Sequence, residues 1–459
     1  MKTNLSAIYS DLPQYIKQPL NYVYGTIPPS MRHGKTFWQT YQFIQKSQWE
    51  SREKLEDYQM QLLNKLLNHA YENVPYYKKV FDERDLKPKD IKSTSDLKKL
   101  PLLTKNIIRE RYSELVARNI RPSSYTPLHT SGSTGEVLKF LVPKNQDEYE
   151  NAFIDRAFSS HGSRLYYERS IWLRSYVPEN NAPIFYIAPE LKRLYLSAYH
   201  LSANRINEYV KLINSYQAKL LVGYPSSLYI LAYLLDEAHL KLNNIKIVHA
   251  GSEKMLPYWE NKIKEILGVP VKDHYGMAER VSLFHRCSCS DIYHENLDYG
   301  LTEIINQADG CGMVVGTSFL NYAMPLIRYL TNDVARINFG NQLCKCGRGL
   351  PLTVLEFEGR SDDILITKDG RYIPGVNFYT MIYKIEGIKM FKIIQYALDT
   401  IELQIVPDDN FSDKSRDLIA KGIQERLGNV NLQINIVNEI QRSYNTGKIR
   451  CIETRVKTI

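Results

Sequence analysis

Residues 130–135 read TSGSTG, a run of hydroxyl residues and glycines only. Backbone N–H groups of a glycine-rich loop, assisted by hydroxyl donors, can surround phosphate oxygens, and glycine permits close approach of the backbone. Lys139 follows four residues later; it could add positive charge, or it is an exposed lysine. Because the spacing does not fit the G-x-x-x-x-G-K-[ST] pattern, the residues alone leave two interpretations, a phosphate-binding loop and a plain polar turn.

Four of the six cysteines form two C-x-C pairs, in HRCSCSDIYH (285–294) and CKCGRGLP (344–351). Such pairs suit a metal ion better than a disulfide framework in a cytosolic protein. Three or four of the sulfurs, together with His294, would complete a tetrahedral structural zinc site. The alternative is that these thiols are buried or incidental and share no function.

The composition predicts a soluble, cytoplasmic protein of two or three domains. The 459 residues are 44% hydrophobic and 24% charged, which is ordinary for a globular chain. The sequence has no apolar run of about 18 residues, and its N-terminus lacks the apolar core of a secretory signal. The net charge of +9 is dispersed among acidic residues, so neither nucleic acid nor a membrane is expected as a partner.

Periodicity predicts an α/β fold. Residues 36–120 are expected to be mainly helical, with Thr104 as the N-cap of one helix. Farther along, KLLVGYP (219–225), IKIVHAGSE (245–253) and VPVKDHYG (269–276) have strand character and are separated by helical patterns. Strands that alternate with helices predict a parallel sheet with crossover helices.

The pattern changes after residue 300 to hairpin-like strands, and Asp369-Gly370 gives the strongest short hairpin signal. From about residue 363 the predicted order is helix, two strands, helix and strand. These observations predict a large N-terminal domain, residues 1–361, with mixed or parallel sheets, crossover helices and a strand-rich part. A small α+β domain, residues 362–459, is expected to follow it.

Six segments in order resemble the motifs of the adenylate-forming superfamily, which includes acyl-CoA synthetases, adenylation domains and luciferases. TSGSTGEVLK resembles its phosphate loop, HAGSEKM (249–255) and DHYGMAER (273–280) its adenine-side strand ends, and RYLTND (328–333) its ribose-binding segment. GRSDD (359–363) resembles the hinge, and NTGKIR (445–450) the catalytic lysine loop. The N-terminal stretch LLNHAYENVPYYKKVF and the later LVGYPSSLYILAYLL are similar to the phenylacetate–CoA ligase and capsule-biosynthesis (CapK-like) branch.

The resemblance implies a ligase in which a carboxylate attacks the α-phosphate of ATP, giving an acyl-AMP and pyrophosphate. That step concentrates negative charge, so it requires donors and cations. Lys448 would neutralise charge on the α-phosphate and carboxylate oxygens, Arg360 would reach the ribose or a phosphate, and Asp362 would be the pivot of a mobile C-terminal domain. The phosphates would be held by Thr130, Ser131, Gly132, Ser133, Thr134 and Gly135.

Glu279 would help to hold Mg²⁺, although without the motif it would be an exposed ion pair with Arg280. Asp333 would accept the two ribose hydroxyls, although it would also suit a turn. Tyr275 would lie against the adenine. The rest of the nucleotide pocket would be formed by Gly251, Ser252, Glu253, His274, Gly276 and Met277.

Some members of this branch have a cysteine, a histidine and a later C-x-C, and by that resemblance Cys287, His294, Cys344 and Cys346 would be the zinc ligands. Cys289 would then be spare. A site of four cysteines, with Cys289 in place of His294, is the alternative that the sequence leaves open.

The resemblance favours coenzyme A (CoA) as the acceptor of the acyl group. An amide ligase that uses the amine of an amino acid or amino sugar is the alternative. A nucleotide-binding protein without turnover is a remote third, and intact Glu279, Asp333 and Lys448 argue against it. The identity of the small carboxylic acid and the oligomeric state stay open.

Overall fold

The computed structural model describes residues 14–456 apart from 28, 130–137, 175, 177–182, 254, 256, 309, 339–343, 358–363, 375, 383, 439 and 441–450. Its helices in the N-terminal third are α1 (Gln14–Thr26), α2 (Pro29–Arg32), α3 (Lys35–Ser47), α4 (Arg52–Asn73), α5 (Pro75–Asp82), α6 (Lys105–Glu110), α7 (Tyr112–Leu115) and α8 (Gln146–Ser159). The later helices are α9 (Ile206–Tyr216), α10 (Pro225–Glu237), α11 (Pro257–Leu267), α12 (Val376–Ile382) and α13 (Asp413–Leu427). Short 3₁₀ turns lie at Pro88–Asp90, Thr94–Lys99, Pro122–Ser124, Pro189–Leu191, Ala198–His200 and Ala203–Arg205.

Most strands of the described residues belong to one mixed sheet. The first ten strands are β1 (Tyr125–His129), β2 (Lys139–Pro143), β3 (Ser170–Arg174), β4 (Phe185–Ala188), β5 (Arg193–Ser197), β6 (Leu220–Gly223), β7 (Ile247–Ala250), β8 (Val271–Tyr275), β9 (Phe284–Arg286) and β10 (Tyr293–Glu295). The next four are β11 (Gly300–Ala308), β12 (Cys311–Ser318), β13 (Tyr329–Ile337) and β14 (Leu352–Phe357). The sheet order is β11-β12-β13-β14-β10-β9-β8-β7-β6-β3-β5-β4, while β1 and β2 pair separately.

The parallel part of this sheet runs through β5, β3, β6, β7 and β8. Strands β6 and β7, LLVG and IVHA, are buried at every position, as expected for parallel strands covered on both faces. Side chains alternate between the faces, so Leu221 and Val248 join the core with α9–α11, whereas Val222 packs with Phe158 of α8. This arrangement brings the carboxyl ends of β3, β6, β7 and β8 to one edge.

The C-terminal part is α+β, as the sequence predicts. The hairpin of β15 (Ile364–Ile366) and β16 (Tyr372–Pro374) precedes a four-stranded sheet of order β19-β18-β17-β20. Its strands are β17 (Ile388–Ala397), β18 (Thr400–Pro407), β19 (Asn431–Ile436) and β20 (Ile452–Thr454). Its apolar core includes Tyr199 of the N-terminal part. The mobility of this domain stays a prediction.

The local predictions are confirmed in most details. Thr104 caps α6, since its hydroxyl accepts the Ile107 N–H at 3.3 Å. The hairpin at Asp369-Gly370 is present, but its loop runs from residue 367 to 371, longer than a two-residue turn, with Gly370 at a φ of 76°. Within the described residues, no helix is long and apolar enough to cross a membrane.

Glu295, in β10, is a buried carboxyl that borders a cavity of about 170 Å³. It is 8% exposed and accepts hydrogen bonds from the Thr302 N–H at 3.2 Å and the Thr353 hydroxyl at 3.3 Å. Burial raises its pKa from the ordinary 4.5 to about 7, because these bonds offset only part of the desolvation. The folded chain therefore holds a proton that the unfolded chain has lost between these two pH values.

Replacing Glu295 by glutamine is expected to stabilise the protein increasingly as the pH rises. Between pH 4.5 and 7 the contribution of Glu295 to the free energy of unfolding falls with each pH unit, by about 3 kcal/mol in total. Glutamine has no such proton and keeps an acceptor for the Thr302 N–H. Urea denaturation midpoints of both proteins across this pH range measure the effect. A difference that does not change with pH would contradict the buried ionisation.

Candidate active site and candidate metal centre

Strand β8 ends at Tyr275, whose hydroxyl donates to Asp333 Oδ2 at 2.8 Å. The Tyr275 ring is stacked on Phe357, with centroids 3.8 Å apart and an interplanar angle of 4°. Burial and the adjacent Asp333 charge raise the pKa of Tyr275 well above its usual value, so the phenol remains a donor. The predicted adenine-side and ribose-side residues are thus joined by a hydrogen bond.

Asp333 lies on β13 in a constrained stretch of backbone. Asn332, the residue before it, adopts a left-handed conformation with a φ of 66°. The Asp333 N–H donates to the Thr331 hydroxyl at 3.1 Å, and that hydroxyl donates to the Val314 carbonyl at 2.8 Å. These contacts fix the backbone that carries the carboxylate.

Glu279 is held by a second tyrosine. It follows β8 by four residues, is 8% exposed, and accepts a hydrogen bond at Oε1 from the Tyr329 hydroxyl at 2.7 Å. Glu279 does not form the exposed ion pair with Arg280 that was the alternative. The Arg280 guanidinium instead lies 2.5 Å from Asp147. Among the described residues, Glu279 Oε2 has no hydrogen-bond partner, so this oxygen could meet a cation.

The segment after β7 packs directly against β8. A side chain at Gly251 would bring a Cβ within 2.9 Å of the His274 ring, so glycine is required there. Ser252 follows with a φ of 71°. His274 Nδ1 lies 3.0 Å from His249 Nε2, and its side chain leaves β8 on the face opposite to Tyr275 because neighbours on a strand alternate. The roles predicted for Glu253, Gly276 and Met277 stay predictions.

Several predicted site residues lie outside the described residues: Thr130, Ser131, Gly132, Ser133, Thr134, Gly135, Arg360, Asp362 and Lys448. Lys139 is described; it is exposed at the start of β2 and pairs in register with His129 of β1. Its proposed contribution to phosphate binding stays a prediction.

Two residues of the site were not predicted from the sequence. Tyr329 lies four residues before Asp333 in the segment RYLTND, and Phe357 is the last residue of β14. Regular alternation does not connect Tyr329 with Asp333, because the left-handed Asn332 and a bulge in β13 lie between them. Phe357 has no local signal either, since only the folded sheet brings it to Tyr275.

Cys287, His294, Cys344 and Cys346 form a cluster, here called the Cys₃His cluster. Cys287 Sγ lies 3.2 Å from Cys344 Sγ, Cys346 Sγ lies 3.3 Å from His294 Nε2, and all four ligand atoms are within 4.8 Å of one another. Zn–S bonds of about 2.3 Å in a tetrahedral site set sulfurs about 3.8 Å apart. The set therefore fits zinc once the side chains of Cys287 and Cys344 separate by about 0.6 Å.

The surroundings of the Cys₃His cluster also suit a metal. His294 Nδ1 lies 2.7 Å from the Leu350 carbonyl, so it donates its proton there and leaves Nε2 as a ligand atom. Burial raises the pKa of the Cys287 thiol, but the neighbouring His294 and the hydrogen bond from the Cys289 N–H lower it to about 7. Cys289 is exposed and is not part of the cluster, so the geometry favours His294 over Cys289 as the fourth ligand.

The comparisons with known proteins agree with this fold. Residues 365–455 match the family model of the CapK C-terminal domain. The chain is 23% identical to Protein CapK of Staphylococcus aureus over 452 residues, which cover 95% of this chain and 96% of that protein. It is 24% identical to phenylacetate-coenzyme A ligase of Thermus thermophilus over 402 residues, or 82% and 86% of the two chains.

Among solved structures, 2-hydroxyisobutyryl-CoA ligase in its postadenylation state is similar to this chain with a TM-score of 0.55. The sequence identity is 18%, and the match covers 89% of this chain and 91% of the ligase. This likeness shows a shared fold. The shared fold, the CapK C-terminal match and the two relatives support the resemblance to the adenylate-forming superfamily.

Proposed function

We propose that this protein is an AMP-forming ligase that activates a small carboxylic acid with ATP and then transfers the acyl group. The observation that carries the proposal is the juxtaposition at the end of β8. There Tyr275 is hydrogen-bonded to Asp333. Glu279, four residues after Tyr275, accepts a hydrogen bond from the Tyr329 hydroxyl. These are three of the residues that the resemblance assigns to adenine, ribose and Mg²⁺.

In this proposal the two carboxylates have separate roles. Asp333 accepts the ribose hydroxyls, and the Tyr275 ring, supported on one face by Phe357, lies against the base. Glu279 is a buried carboxylate with one oxygen held by Tyr329, and a hard cation prefers such an oxygen ligand beside phosphates. Bound Mg²⁺ would supply positive charge to the phosphate oxygens.

The remaining charge is neutralised by groups that the sequence supplies. The loop from Thr130 to Gly135 holds the β- and γ-phosphates, and Lys448 provides a cation for the reacting carboxylate and α-phosphate. Arg360 reaches the ribose or a phosphate. Rotation of the C-terminal domain about Asp362 separates the two half-reactions.

CoA is the proposed acceptor, since the chain spans 86% of a relative named phenylacetate-coenzyme A ligase. An amine acceptor is the second candidate. It comes from the resemblance to the capsule-biosynthesis branch, and residues 365–455, the part of the chain that carries the proposed catalytic lysine, match the CapK C-terminal domain. Because fold likeness does not fix the acceptor, the two are separated by experiment.

The zinc proposed for the Cys₃His cluster has a structural role. The cluster joins Cys287 after β9 and His294 in β10 to the segment that precedes β14. Zinc bound there would tie this segment to the β9–β10 hairpin, with no open coordination position for substrate.

Acid-dependent release of pyrophosphate from ATP tests the proposal across a panel of acids, with CoA or with amines added. We expect Lys448→Ala to reduce the rate about 100-fold, the effect of removing one preorganised group that stabilises developing negative charge. Lys421→Ala is the matched control, because Lys421 is an exposed lysine of the same domain. Stimulation by CoA or by an amine identifies the acceptor.

Two results would overturn the proposal. One is pyrophosphate release that does not depend on any acid, and the other is equal activity of Lys448→Ala and wild type. Binding of ATP without release, with every acid and acceptor tested, would favour the nucleotide-binding protein without turnover.

A further inference from the structure

The carboxyl ends of four parallel strands place one row of residues on the sheet face that packs against α8. The strands are β3, β6, β7 and β8. Each residue of the row directly follows the last residue of its strand that is paired in register with another of these four strands. Ligands of open α/β sheets bind at the carboxyl ends of the strands. The row consists of Arg174, Tyr224, Gly251 and His274.

His274 fills the space that the absent side chain of Gly251 leaves. Its Cε1 lies 2.9 Å from the position of a Cβ at Gly251, so the ring leans from β8 over β7. His249 Nε2 lies 3.0 Å from His274 Nδ1, within hydrogen-bonding distance. His274 Nε2 has no hydrogen-bond partner in the part of the chain that the structure describes, and it is the ring atom left to meet a ligand.

Arg174 is a half-buried cation without an anionic partner. Its guanidinium lies 4.8 Å from the centroid of the Trp172 ring and 5.3 Å from that of Tyr224. Among the described carboxylates, none lies within 4.0 Å of it. Aromatic rings offset only part of the free energy lost when a cation is desolvated. An anion bound in the row would supply the remaining electrostatic stabilisation of Arg174.

The charge of Arg174 influences His274. Burial and the positive charge of Arg174 lower the pKa of His274 to about 4, so the histidine is neutral near pH 7. The row therefore offers one fixed positive charge and one neutral imidazole. An anion fits the uncompensated charge of Arg174 better than an apolar ring does.

The row is separated from the nucleotide side. His274 and Tyr275 leave β8 on opposite faces, and Tyr275 meets Asp333. Arg174 is three strand spacings from β8 in the sheet, which is about 14 Å at 4.8 Å each. Arg174 is therefore too far from that end to meet the carboxylate that is activated beside Glu279.

We infer that the acid substrate carries a second anionic group, such as a second carboxylate, which Arg174 binds at the end remote from the reacting carboxylate. This inference rests on the proposed function and names the substrate class of that same site. Arg174 is then a specificity-determining residue, and simple aryl or alkyl monocarboxylic acids are poor substrates.

The test compares α,ω-dicarboxylates, from succinate to sebacate, with their monomethyl esters, which have similar length but one charge. The readouts are acid-dependent pyrophosphate release and calorimetric binding to the full chain saturated with a non-hydrolysable ATP analogue. We expect wild type to prefer at least one diacid over its monoester by about 30-fold in kcat/KM. This factor is the lower end of the effect expected when one partner of a desolvated charge pair is removed.

Arg174→Met is expected to remove this preference, mainly through KM. Methionine keeps an unbranched stem that packs on Trp172. Arg193→Met is the matched control, because Arg193 lies over the same indole at 4.2 Å but at the amino end of β5. It is expected to retain the preference.

The outcomes separate the inference from the proposed function. Monocarboxylates used as well as diacids by wild type, or an equal loss with both in Arg174→Met, overturn the inference while adenylation stands. Diacid binding that requires Arg174 without any pyrophosphate release overturns the function and supports the binding site. Neither binding nor release with any diacid overturns the inference.

Discussion

Replacement of Glu279 by glutamine is expected to lower acid-dependent pyrophosphate release about 1000-fold. Glutamine has nearly the same shape, and its amide oxygen can still accept the Tyr329 hydroxyl that now lies 2.7 Å from Oε1. The negative charge at the other oxygen is lost, and with it the proposed ligand of Mg²⁺. A metal ion supplies several kcal/mol of transition-state stabilisation, which corresponds to this factor.

The magnesium dependence distinguishes a lost ligand from a damaged fold. Glu279→Gln should require a higher Mg²⁺ concentration for half-maximal rate, whereas its denaturation midpoint should match wild type. Tyr329→Phe, which removes only the positioning hydroxyl, should shift the magnesium requirement less.

Glu402→Gln is the matched control for this comparison. The Tyr396 hydroxyl donates to Glu402 at 2.6 Å in the C-terminal sheet, so the same kind of bond is altered away from the site. It should retain full activity. An unchanged magnesium requirement in Glu279→Gln would refute the assignment of this carboxylate.

The regular elements could be predicted from the sequence because their signals are local. Strands β6 and β7 are short apolar runs next to helical patterns, and the C-terminal order of helices and strands follows from their periodicity. Thr104 has the side chain of an N-cap and a helical pattern after it, and it caps α6. The order of strands across the large sheet has no local signal, since β8 and β9 join its parallel and antiparallel parts through tertiary contacts.

The candidate site was predictable as a set of segments, but not as a set of contacts. The resemblance assigns Tyr275 and Asp333 to one nucleotide, yet nothing in the two segments indicates that their side chains are hydrogen-bonded to each other. Arg174 was not predicted, because an arginine at a strand end has no distinctive spacing. Its position becomes informative only when the register aligns it with His274.

The Cys₃His cluster shows the same limit for metal ligands. Sequence spacing left Cys289 and His294 as alternatives, because both lie within a few residues of Cys287. The antiparallel register of β9 and β10, which aligns Arg286 with Tyr293, favours His294 over Cys289. His294 then lies beside Cys346, whereas Cys289 is in the exposed turn between the strands.

Purified protein is expected to contain about one zinc ion per chain, and Cys344→Ser is expected to lose it. Removing a structural metal is among the few single changes that cost about 4 kcal/mol or more, because thiolates and an imidazole brought together for a metal lose their common partner. At an unfolding entropy of about 2.1 cal/mol/K per residue, the expected fall in melting temperature of the 459-residue chain is about 4 °C. Zinc analysis of the protein and thermal denaturation, with and without a chelator, measure both effects.

Cys289→Ser is the matched control, since it removes a sulfur from the same C-x-C pair as Cys287 but outside the cluster. It should keep its zinc and its melting temperature, whereas His294→Ala should behave like Cys344→Ser. Loss of zinc in Cys289→Ser with retention in His294→Ala would show that four cysteines bind the metal. Wild type that contains no zinc, and whose melting temperature does not respond to added zinc or chelator, would refute a structural metal. The Cys₃His cluster would then be a group of reduced thiols beside a histidine that binds the Leu350 carbonyl.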